Sequence, residues 1–295
     1  MDTCTLCPRM CGVNRAAGEK GYCGMDATIR AARAALHMWE EPCISGTRGS
    51  GAVFFSGCSL RCIFCQNFEI AEGNCAKEIS GERLSEIFLE LQEQGAANIN
   101  LVTAAHYVPA VIESLKKAKA QGMDLPVIYN SSGYERVETV QMLEEVVDVW
   151  LPDFKYMDSK LAFAYSRAKD YPEVARAAIR EMMKAAGTCA YDEDGYIQKG
   201  VIVRHLILPG HTKNSIAVLD ELYGTYGDDL TISLMNQYTP LPQVWNIPDL
   251  NRRVTKREYE KVLDHALDLG ITQGFFQEGG TAKESFIPIF DYEGL

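Results

Sequence analysis

Short apolar runs alternate along this chain with longer segments whose apolar residues recur at helical spacing. The apolar runs predict strands at residues 52–55, 98–103, 125–130, 146–151, 201–208 and 230–235. The helical spacing predicts helices at residues 82–94, 109–121, 137–145, 174–186 and 215–223. A further helix is expected after Thr255, because Glu258 three residues later completes a capping box. Strands and helices therefore follow one another in strict order.

Six strand-then-helix units in this order predict parallel strands with right-handed crossovers. A closed barrel of this type needs eight units. The expected fold is therefore α/β, an open and partial (β/α)6 TIM-type barrel. In such folds the functional site lies at the carboxyl ends of the strands, in the loops that follow them. Polar residues at those strand ends are the candidates for function.

The composition is that of an ordinary globular chain, with 47% hydrophobic and 23% charged residues among 295. The formal net charge of −11 argues against a general affinity for nucleic acid, although a local basic groove stays open. No apolar run approaches the roughly 18 residues that a membrane span needs. The first residues also lack the basic and apolar regions of a signal peptide. We therefore expect no nucleic-acid partner and no membrane association.

Cysteine is abundant, with ten in the chain. Such cysteines favour metal ligation over disulfides where no secretion signal is present, so a reducing cytoplasm is the expected location. Four of them form a C-x2-C-x3-C-x11-C pattern, namely Cys4, Cys7, Cys11 and Cys23. This spacing suits zinc, a rubredoxin-like iron or a second iron–sulfur cluster, and reduced, unligated cysteines are the alternative. We expect a metal-binding segment over residues 1–50, stabilised by its metal, and the barrel over residues 51–295.

Two neighbouring carboxylates, Glu40 and Glu41, lie just before Pro42 at the end of this segment. They could face a substrate, but acidic residues beside a proline are more often part of a solvated turn. We expect the solvated turn.

Three cysteines follow the first predicted strand in one short loop, Cys58, Cys62 and Cys65, spaced C-x3-C-x2-C. Buried thiols are the alternative, but a buried strand would not carry Arg61 and Gln66 among them. Three thiolates can hold three irons of a four-iron, four-sulfur (4Fe-4S) cluster. The fourth iron then lacks a protein ligand, as at catalytic metal centres that keep one position open. The loop therefore predicts a catalytic 4Fe-4S cluster.

This loop resembles the cluster-binding motif of the radical S-adenosylmethionine (SAM) superfamily. The resemblance implies that the open iron chelates the amino and carboxylate groups of SAM. It also implies that one electron from the cluster cleaves SAM and releases a 5′-deoxyadenosyl radical. A low-potential donor, flavodoxin or ferredoxin, is the implied source of that electron.

The chain as a whole resembles pyruvate formate-lyase activating enzymes, and more closely the PflX-like branch of their uncharacterised relatives. The motifs that carry this resemblance are CxLCPRxCGVNR, WEEPCISG, FFSGCxLRCxFCQN, LPDFKY, RHLILPG and LMNQYTP. The implied activity is hydrogen abstraction from a glycine of a partner glycyl radical enzyme. Modification of a small molecule or a peptide is the first alternative. An iron–sulfur electron carrier or redox sensor is the alternative of another class.

Several strand-end residues match positions that contact the cofactor in activating enzymes. Asp153 and Lys155 match a DLK sequence after the fourth strand. The resemblance implies that Lys155 pairs with the SAM carboxylate, and that Asp153 contacts the cofactor or a nearby cation. Arg204 matches an arginine of the fifth strand that faces the cofactor. His205 follows it and would point to the opposite side of the strand, towards the core.

Three other strand ends depart from the family pattern. Thr103, followed by two alanines, stands where activating enzymes carry Gly-Gly-Glu, and its hydroxyl can still accept a hydrogen bond from the cofactor's amino group. Asn130, followed by Ser131, replaces an acidic residue, and its amide oxygen can still ligate a cation. Gln237 begins the sequence QYT that replaces Pro-Tyr-His. Thr103, Asn130 and Ser131 are thus further candidate contacts of the cofactor.

Overall fold

The structure of the protein is a computed structural model that describes residues 3–277 and 288–295. Its strands are β1 (Arg30–His37), β2 (Ser50–Phe55), β3 (Lys77–Glu78), β4 (Ile99–Val102), β5 (Val127–Ser131), β6 (Val149–Pro152), β7 (Ala190–Tyr191), β8 (Ile197–Leu206), β9 (Thr231–Met235) and β10 (Gly274–Phe276). Its helices are α1 (Pro42–Ser45), α2 (Phe68–Ala71), α3 (Gly81–Glu93), α4 (Val108–Ala120), α5 (Val137–Leu143), α6 (Ser159–Ser166), α7 (Tyr171–Ala186), α8 (Thr212–Tyr226) and α9 (Lys256–Asp268). Among the described residues, no helix is both long and apolar enough to cross a membrane.

The parallel strands form one continuous sheet in the order β10-β9-β8-β6-β5-β4-β2. In the described part of the chain the two edges of this sheet are not paired with each other, so the barrel is open. Helices follow the strands as the sequence predicts, and the expected partial (β/α)6 barrel is confirmed. Every predicted strand and helix is present, with ends that differ by a few residues.

Four strands were not expected from the sequence, namely β1, β3, β7 and β10. Strand β1 pairs antiparallel with β2, and β10 adds a parallel edge beside β9. The sequence of β1, RAARAALH, lacks β-branched residues, and β10 has only three residues, so neither carries a clear strand signal. The predicted boundary at residue 50 thus falls at the start of β2 and separates β1 from the strand with which it pairs.

Side chains along each parallel strand alternate between the interior of the barrel and its outer face. On β4, Leu101 belongs to the large hydrophobic core that the helices cover, whereas the next residue, Val102, lines an interior cavity. On β2, Val53 belongs to the same core, and the next residue, Phe54, lines the same cavity. The strand register therefore decides which polar side chains can reach the interior.

Helix α1 packs against the inside of the sheet, below the strand ends that carry the candidate residues. Its Cys43 and Ile44 are buried against Ile128, Val149 and Ile202, which are interior residues of three parallel strands. Pro42 at the first turn is favourable there, because a helix leaves its first N–H groups without intrahelical partners. The residues that precede α1 are thereby brought inside the barrel.

The cysteine-rich N-terminal segment is tied to the barrel by side chains that bond its backbone. Arg136 donates to the carbonyl of Thr5 at 2.7 Å, and Thr139 of α5 donates to the carbonyl of Leu6 at 2.7 Å. In the other direction, Arg9 donates to the carbonyl of Ser59 in the loop of the three cysteines at 2.9 Å. The segment therefore lies directly beside that loop.

The capping box that the sequence predicts is present at the start of α9, and a substitution can test its contribution to stability. The Thr255 hydroxyl accepts from the Glu258 backbone N–H, and the Glu258 carboxylate accepts from the Thr255 N–H at 2.9 Å. Thr255→Ala should lower the free energy of unfolding by about 1 kcal/mol, because these bonds satisfy N–H groups at the start of the helix. Urea unfolding measures this loss. Thr255→Ser keeps the hydroxyl and should match the wild type; equal stability of the alanine variant would contradict the prediction.

Candidate active site

The loop of the three cysteines begins where β2 ends and is held by neighbouring strand-end loops. The Ile63 N–H donates to the carbonyl of Tyr165 at 2.9 Å, and the Gln66 side chain donates to the carbonyl of Gln237 at 3.0 Å. Phe64 is buried among the rings of three tyrosines, with centroid separations of 6.3 to 6.4 Å. The loop is therefore anchored directly after each of its last two cysteines.

This loop opens into a cavity of about 230 Å3 at the carboxyl ends of the parallel strands, here called the main cavity. Nine of the residues predicted from the sequence line it: Cys58, Cys62, Cys65, Thr103, Asn130, Ser131, Asp153, Lys155 and Arg204. They come from five different strands or the loops after them. The folded chain thus brings the predicted cluster ligands and the predicted cofactor contacts to one place.

The thiols of the loop lie in a sheltered environment. The Ser166 hydroxyl donates to the Cys62 sulfur at 3.1 Å and is itself bonded to the Tyr156 hydroxyl at 2.7 Å. Burial raises the pKa of the Cys62 and Cys65 thiols above the ordinary value. Iron binding must displace these protons, because the thiolate is the ligand.

Lys155 projects into the main cavity from a rigid loop after β6. Its ammonium forms an ion pair with Asp153, and both side chains are largely buried. Burial alone would lower the pKa of Lys155, but the charge and the hydrogen bond of Asp153, together with the neighbouring Cys62 and Cys65, outweigh burial and raise it. Tyr171 accepts a hydrogen bond from the Lys155 N–H at 2.9 Å, and Asn214 donates to the Lys155 carbonyl at 3.0 Å. The backbone of Lys155 is therefore held in position, and Asp153 holds its ammonium.

Glu40 and Glu41 do not form a solvated turn; that prediction was wrong. Their side chains are 8% and 6% exposed, and both form ion pairs with Arg204. Burial alone would lower the pKa of Arg204, but the two carboxylates outweigh burial and raise it well above its ordinary value. The turn is buried because α1 packs inside the barrel, which sequence periodicity around residue 40 does not indicate.

His205 lies on the opposite side of β8, fully buried, with Nδ1 2.7 Å from the Phe154 carbonyl.

Thr103 adopts a left-handed backbone conformation, with φ of 63°. A β-branched residue rarely adopts this conformation, which costs on the order of 1–3 kcal/mol. The Thr103 N–H donates to the Asn130 carbonyl at 2.9 Å, and the Ser131 hydroxyl accepts from the Gly133 N–H at 3.2 Å. The loops after β4 and β5 are thus joined at the edge of the main cavity. The strained residue stands where the Gly-Gly-Glu sequence of activating enzymes begins with glycine.

The four N-terminal cysteines lie outside the main cavity but close to its cysteine loop. Cys4, Cys7 and Cys23 are buried, whereas Cys11 is exposed. A Cβ atom added to Gly21 would lie 2.8 Å from the Cys11 sulfur and 3.8 Å from the Cys23 sulfur, so both sulfurs pack against this glycine.

Gly57 allows the N-terminal cysteine segment to approach the loop of Cys58, Cys62 and Cys65 closely. A Cβ atom at Gly57, next to Cys58, would lie 2.9 Å from the Cys23 carbonyl oxygen, and Gly57 has a left-handed φ of 90°. Glycine is therefore required where the two cysteine segments meet.

Within residues 3–277 and 288–295, no three cysteine, histidine, aspartate or glutamate side chains are close enough together to hold a single metal ion. A 4Fe-4S cluster places its cysteine ligands on different irons, whereas zinc draws four ligands onto one ion. Three cysteines around one cavity with a buried ammonium beside them suit a cluster and a carboxylate-bearing ligand.

Comparison with protein families identifies the chemistry. The sequence pattern of the radical SAM superfamily matches residues 52–222, which is more than half of the chain and includes all three loop cysteines. The chain belongs to the radical SAM superfamily. Membership implies a 4Fe-4S cluster and SAM as cofactors, and a radical SAM enzyme needs a reductant and a substrate. The predicted enzyme class is confirmed.

Individual relatives do not narrow the substrate of this radical SAM protein. An uncharacterised protein of Methanocaldococcus jannaschii is 29% identical over 270 residues, which cover 89% of this chain and 74% of the relative. The structure of HydG, a maturase of the FeFe-hydrogenase, is similar with a TM-score of 0.52 and 16% identity, covering 80% of this chain and 54% of HydG. This likeness shows a shared fold.

Two further structures match less closely. SuiB of Streptococcus suis bound to SAM has a TM-score of 0.49 at 12% identity, with 76% of this chain covered. The chain spans about half the length of SuiB, 49%. A domain of a pyruvate-formate lyase-activating enzyme from Bacteroides vulgatus has a TM-score of 0.41 at 16% identity, over 58% of this chain and 92% of that domain.

The sequence did not predict a buried carboxyl group in the loop after β5. Glu135 is 2% exposed and accepts a hydrogen bond from the Tyr129 hydroxyl at 3.4 Å. Burial raises its pKa from 4.5 to about 8. No local pattern marks it, because the loop after β5 alone does not reveal that the side chain turns inward.

Glu135→Gln should become progressively more stabilising, relative to the wild type, as the pH rises. The folded wild type keeps its proton up to about pH 8, whereas the unfolded chain releases it near pH 4.5. Stability of the wild type therefore falls between these values by roughly 1.4 kcal/mol per pH unit, and the glutamine variant lacks this loss. Denaturation temperatures of both proteins at pH 5, 6.5 and 8 measure the effect. The exposed Glu93→Gln is the control, and a difference that does not change with pH would refute the assignment.

Proposed function

We propose that this chain is a radical SAM enzyme whose cluster is bound by Cys58, Cys62 and Cys65 and whose SAM lies against Lys155. The observation that carries the proposal is that these cysteines and Lys155 line one cavity of about 230 Å3. An electron carrier or redox sensor, the alternative of another class, has no use for a fixed cation beside its cluster. The enzyme is therefore the better interpretation.

The chain's own residues bind and orient the reactants. When bound, the reduced cluster supplies one electron to SAM, which yields the 5′-deoxyadenosyl radical that abstracts hydrogen from substrate. The Lys155 ammonium has three N–H donors and donates one to Asp153, so two remain for the SAM carboxylate. Thr103, Asn130 and Ser131 supply acceptors on the neighbouring strand ends. Flavodoxin or ferredoxin is the proposed electron donor, in a reducing cytoplasm.

The substrate we propose first is a glycine of a partner glycyl radical enzyme, as in pyruvate formate-lyase activating enzymes. The support is the set of motifs shared with those enzymes and with their PflX-like branch. Modification of a peptide or a small molecule is the second candidate. The replaced strand ends at Thr103 and Gln237 favour it, since both residues line the main cavity.

We further propose that Cys4, Cys7, Cys11 and Cys23 hold a second iron–sulfur cluster rather than zinc. The support is that the sulfurs of Cys11 and Cys23 both pack against Gly21, so two of the four proposed ligands already lie near each other. Their segment also contacts the catalytic loop through Arg9 and Ser59. An electron could therefore enter through this second centre; a zinc ion there would only stabilise the segment.

SAM cleavage tests the enzyme class. The anaerobically reconstituted wild type should form 5′-deoxyadenosine from SAM with dithionite, and Cys58→Ala should fall to the rate without protein, because one cluster ligand is lost. Cys189→Ala, which removes a thiol outside the main cavity, is the matched control and should keep the wild-type rate. A fully loaded wild type without any deoxyadenosine would refute the proposal in favour of an electron carrier.

Metal content tests the N-terminal centre. The double variant Cys4→Ala/Cys7→Ala should lose about four iron atoms per chain and keep the catalytic cluster, because a second 4Fe-4S cluster has independent ligands. Iron and zinc are counted by plasma mass spectrometry beside the wild type. A loss of one zinc with unchanged iron would instead establish a zinc site, and unchanged metal would show that these cysteines bind none.

A further inference from the structure

A second cavity, here called the side cavity, adjoins the main cavity and has a volume of about 520 Å3. Glu40, Arg204 and Gln237 border both cavities, so the two meet at the Arg204 ion pairs. Among its described lining residues there is no cysteine. A pocket of this size is typical of sites that hold small ligands. It therefore offers room for part of a substrate next to the reaction centre.

The wall between the two cavities carries an excess of negative charge. Arg204 is one cation bonded to two carboxylates, Glu40 and Glu41, which leaves one negative charge without a cation among the residues that the structure describes. Lys155 and Asp153 elsewhere in the main cavity balance each other. A buried charge without a partner is costly, so the excess favours a cationic ligand.

Asn100 supports the Glu40 side chain through a hydrogen bond. This residue of β4 is fully buried, and its Nδ2 donates to Glu40 Oε1 at 3.0 Å. The Oδ1 atom of the same carboxamide is buried without a hydrogen-bond partner among the described residues. The opposite amide orientation would set this oxygen against the Glu40 carboxylate, so the assignment is firm. Asn100 lines neither cavity, so its part is to hold the Glu40 carboxylate in position.

Aromatic side chains form another wall of the side cavity. Trp39, Phe275 and Phe276 line it together with the two carboxylates. Aromatic faces attract ammonium and guanidinium groups, and sites that recognise alkylated cations combine such rings with acidic residues. The lining therefore has both components of a cation-binding site.

We propose that the side cavity binds a cationic group of the substrate, an alkylammonium or alkylguanidinium, against Glu40 and Trp39. This inference rests on the proposed function, because it assigns the cation to the molecule from which hydrogen is abstracted. The reacting carbon of that molecule then lies towards the main cavity. The cation comes either from a lysine or arginine side chain of a peptide, or from a free amine or guanidine.

Calorimetry on the reconstituted protein with SAM, without reductant, tests the site with simple probes. n-Butylguanidinium and n-butylammonium should bind, and n-butylurea, the neutral counterpart of the first, should bind at least about tenfold more weakly. Equal affinity of the guanidinium and the urea would overturn the proposal. A glycine pentapeptide with a central arginine distinguishes the sources: tighter binding than n-butylguanidinium indicates a peptide, and weaker binding indicates a small molecule.

Variants assign the effect to the wall residues. Glu40→Gln keeps the size of the side chain and should weaken binding of n-butylguanidinium at least about tenfold. Trp39→Leu should also weaken it, and the exposed Glu93→Gln, with the same change in charge, should not. If Glu40→Gln weakens SAM binding but not guanidinium binding, Glu40 serves the cofactor and the proposal fails.

Binding and SAM cleavage are separate readouts, so the two proposals fail separately. If the wild type cleaves SAM but no probe binds, the cation site is refuted and the enzyme class stands. If guanidinium binds and Glu40→Gln abolishes binding in a protein that does not cleave SAM, the cation site stands and the proposed function fails. Unchanged thermal unfolding of Glu40→Gln and Trp39→Leu excludes misfolding; if either unfolds early, the urea comparison in the wild type decides.

Discussion

The alternation of side chains along the parallel strands is the constraint on which the site depends. Arg204 lies in the interior of the barrel, and His205, the next residue, is buried on the opposite side of β8. The pairing of Arg204 with Ser233 on β9 and its bridge to Asp153 fix this register. A slip by one residue would exchange the two side chains and leave the arginine among apolar helices. The position of a single charge is thus determined by the whole sheet.

A guanidinium inside the barrel requires partners that the strands themselves do not supply. Glu40 and Glu41 supply them from the segment before β2, because α1 packs inside the sheet beneath them. Removal of the cation from a buried ion pair costs about 3–5 kcal/mol, and loss of Arg204 would leave both carboxylates uncompensated. The residues that precede the first parallel strand therefore complete the barrel rather than merely lead into it.

The parts of this structure that sequence predicts are those that local patterns encode. Periodicity located the parallel strands and their helices, and cysteine spacing with the strand ends located the residues around the main cavity. The side chains of Glu40, Glu41 and Glu135 could not be placed in this way. Their burial depends on residues far away in sequence, and a carboxylate in a loop has the same local signature whether it is solvated or buried. Strand β1 was not predicted for a related reason, because pairing with β2 compensates for its weak strand propensity.

The charges divide the interior into two ends of opposite character. Lys155 shares its ammonium with one carboxylate and keeps donors for an anion, whereas Arg204 is shared by two carboxylates and leaves acceptors for a cation. Lys155 follows β6 and Arg204 lies on β8, which are neighbouring strands of one sheet. A ligand with an anionic group and a ligand with a cationic group can therefore bind side by side without exchanging places. Charge alone would then orient both molecules before any bond is broken.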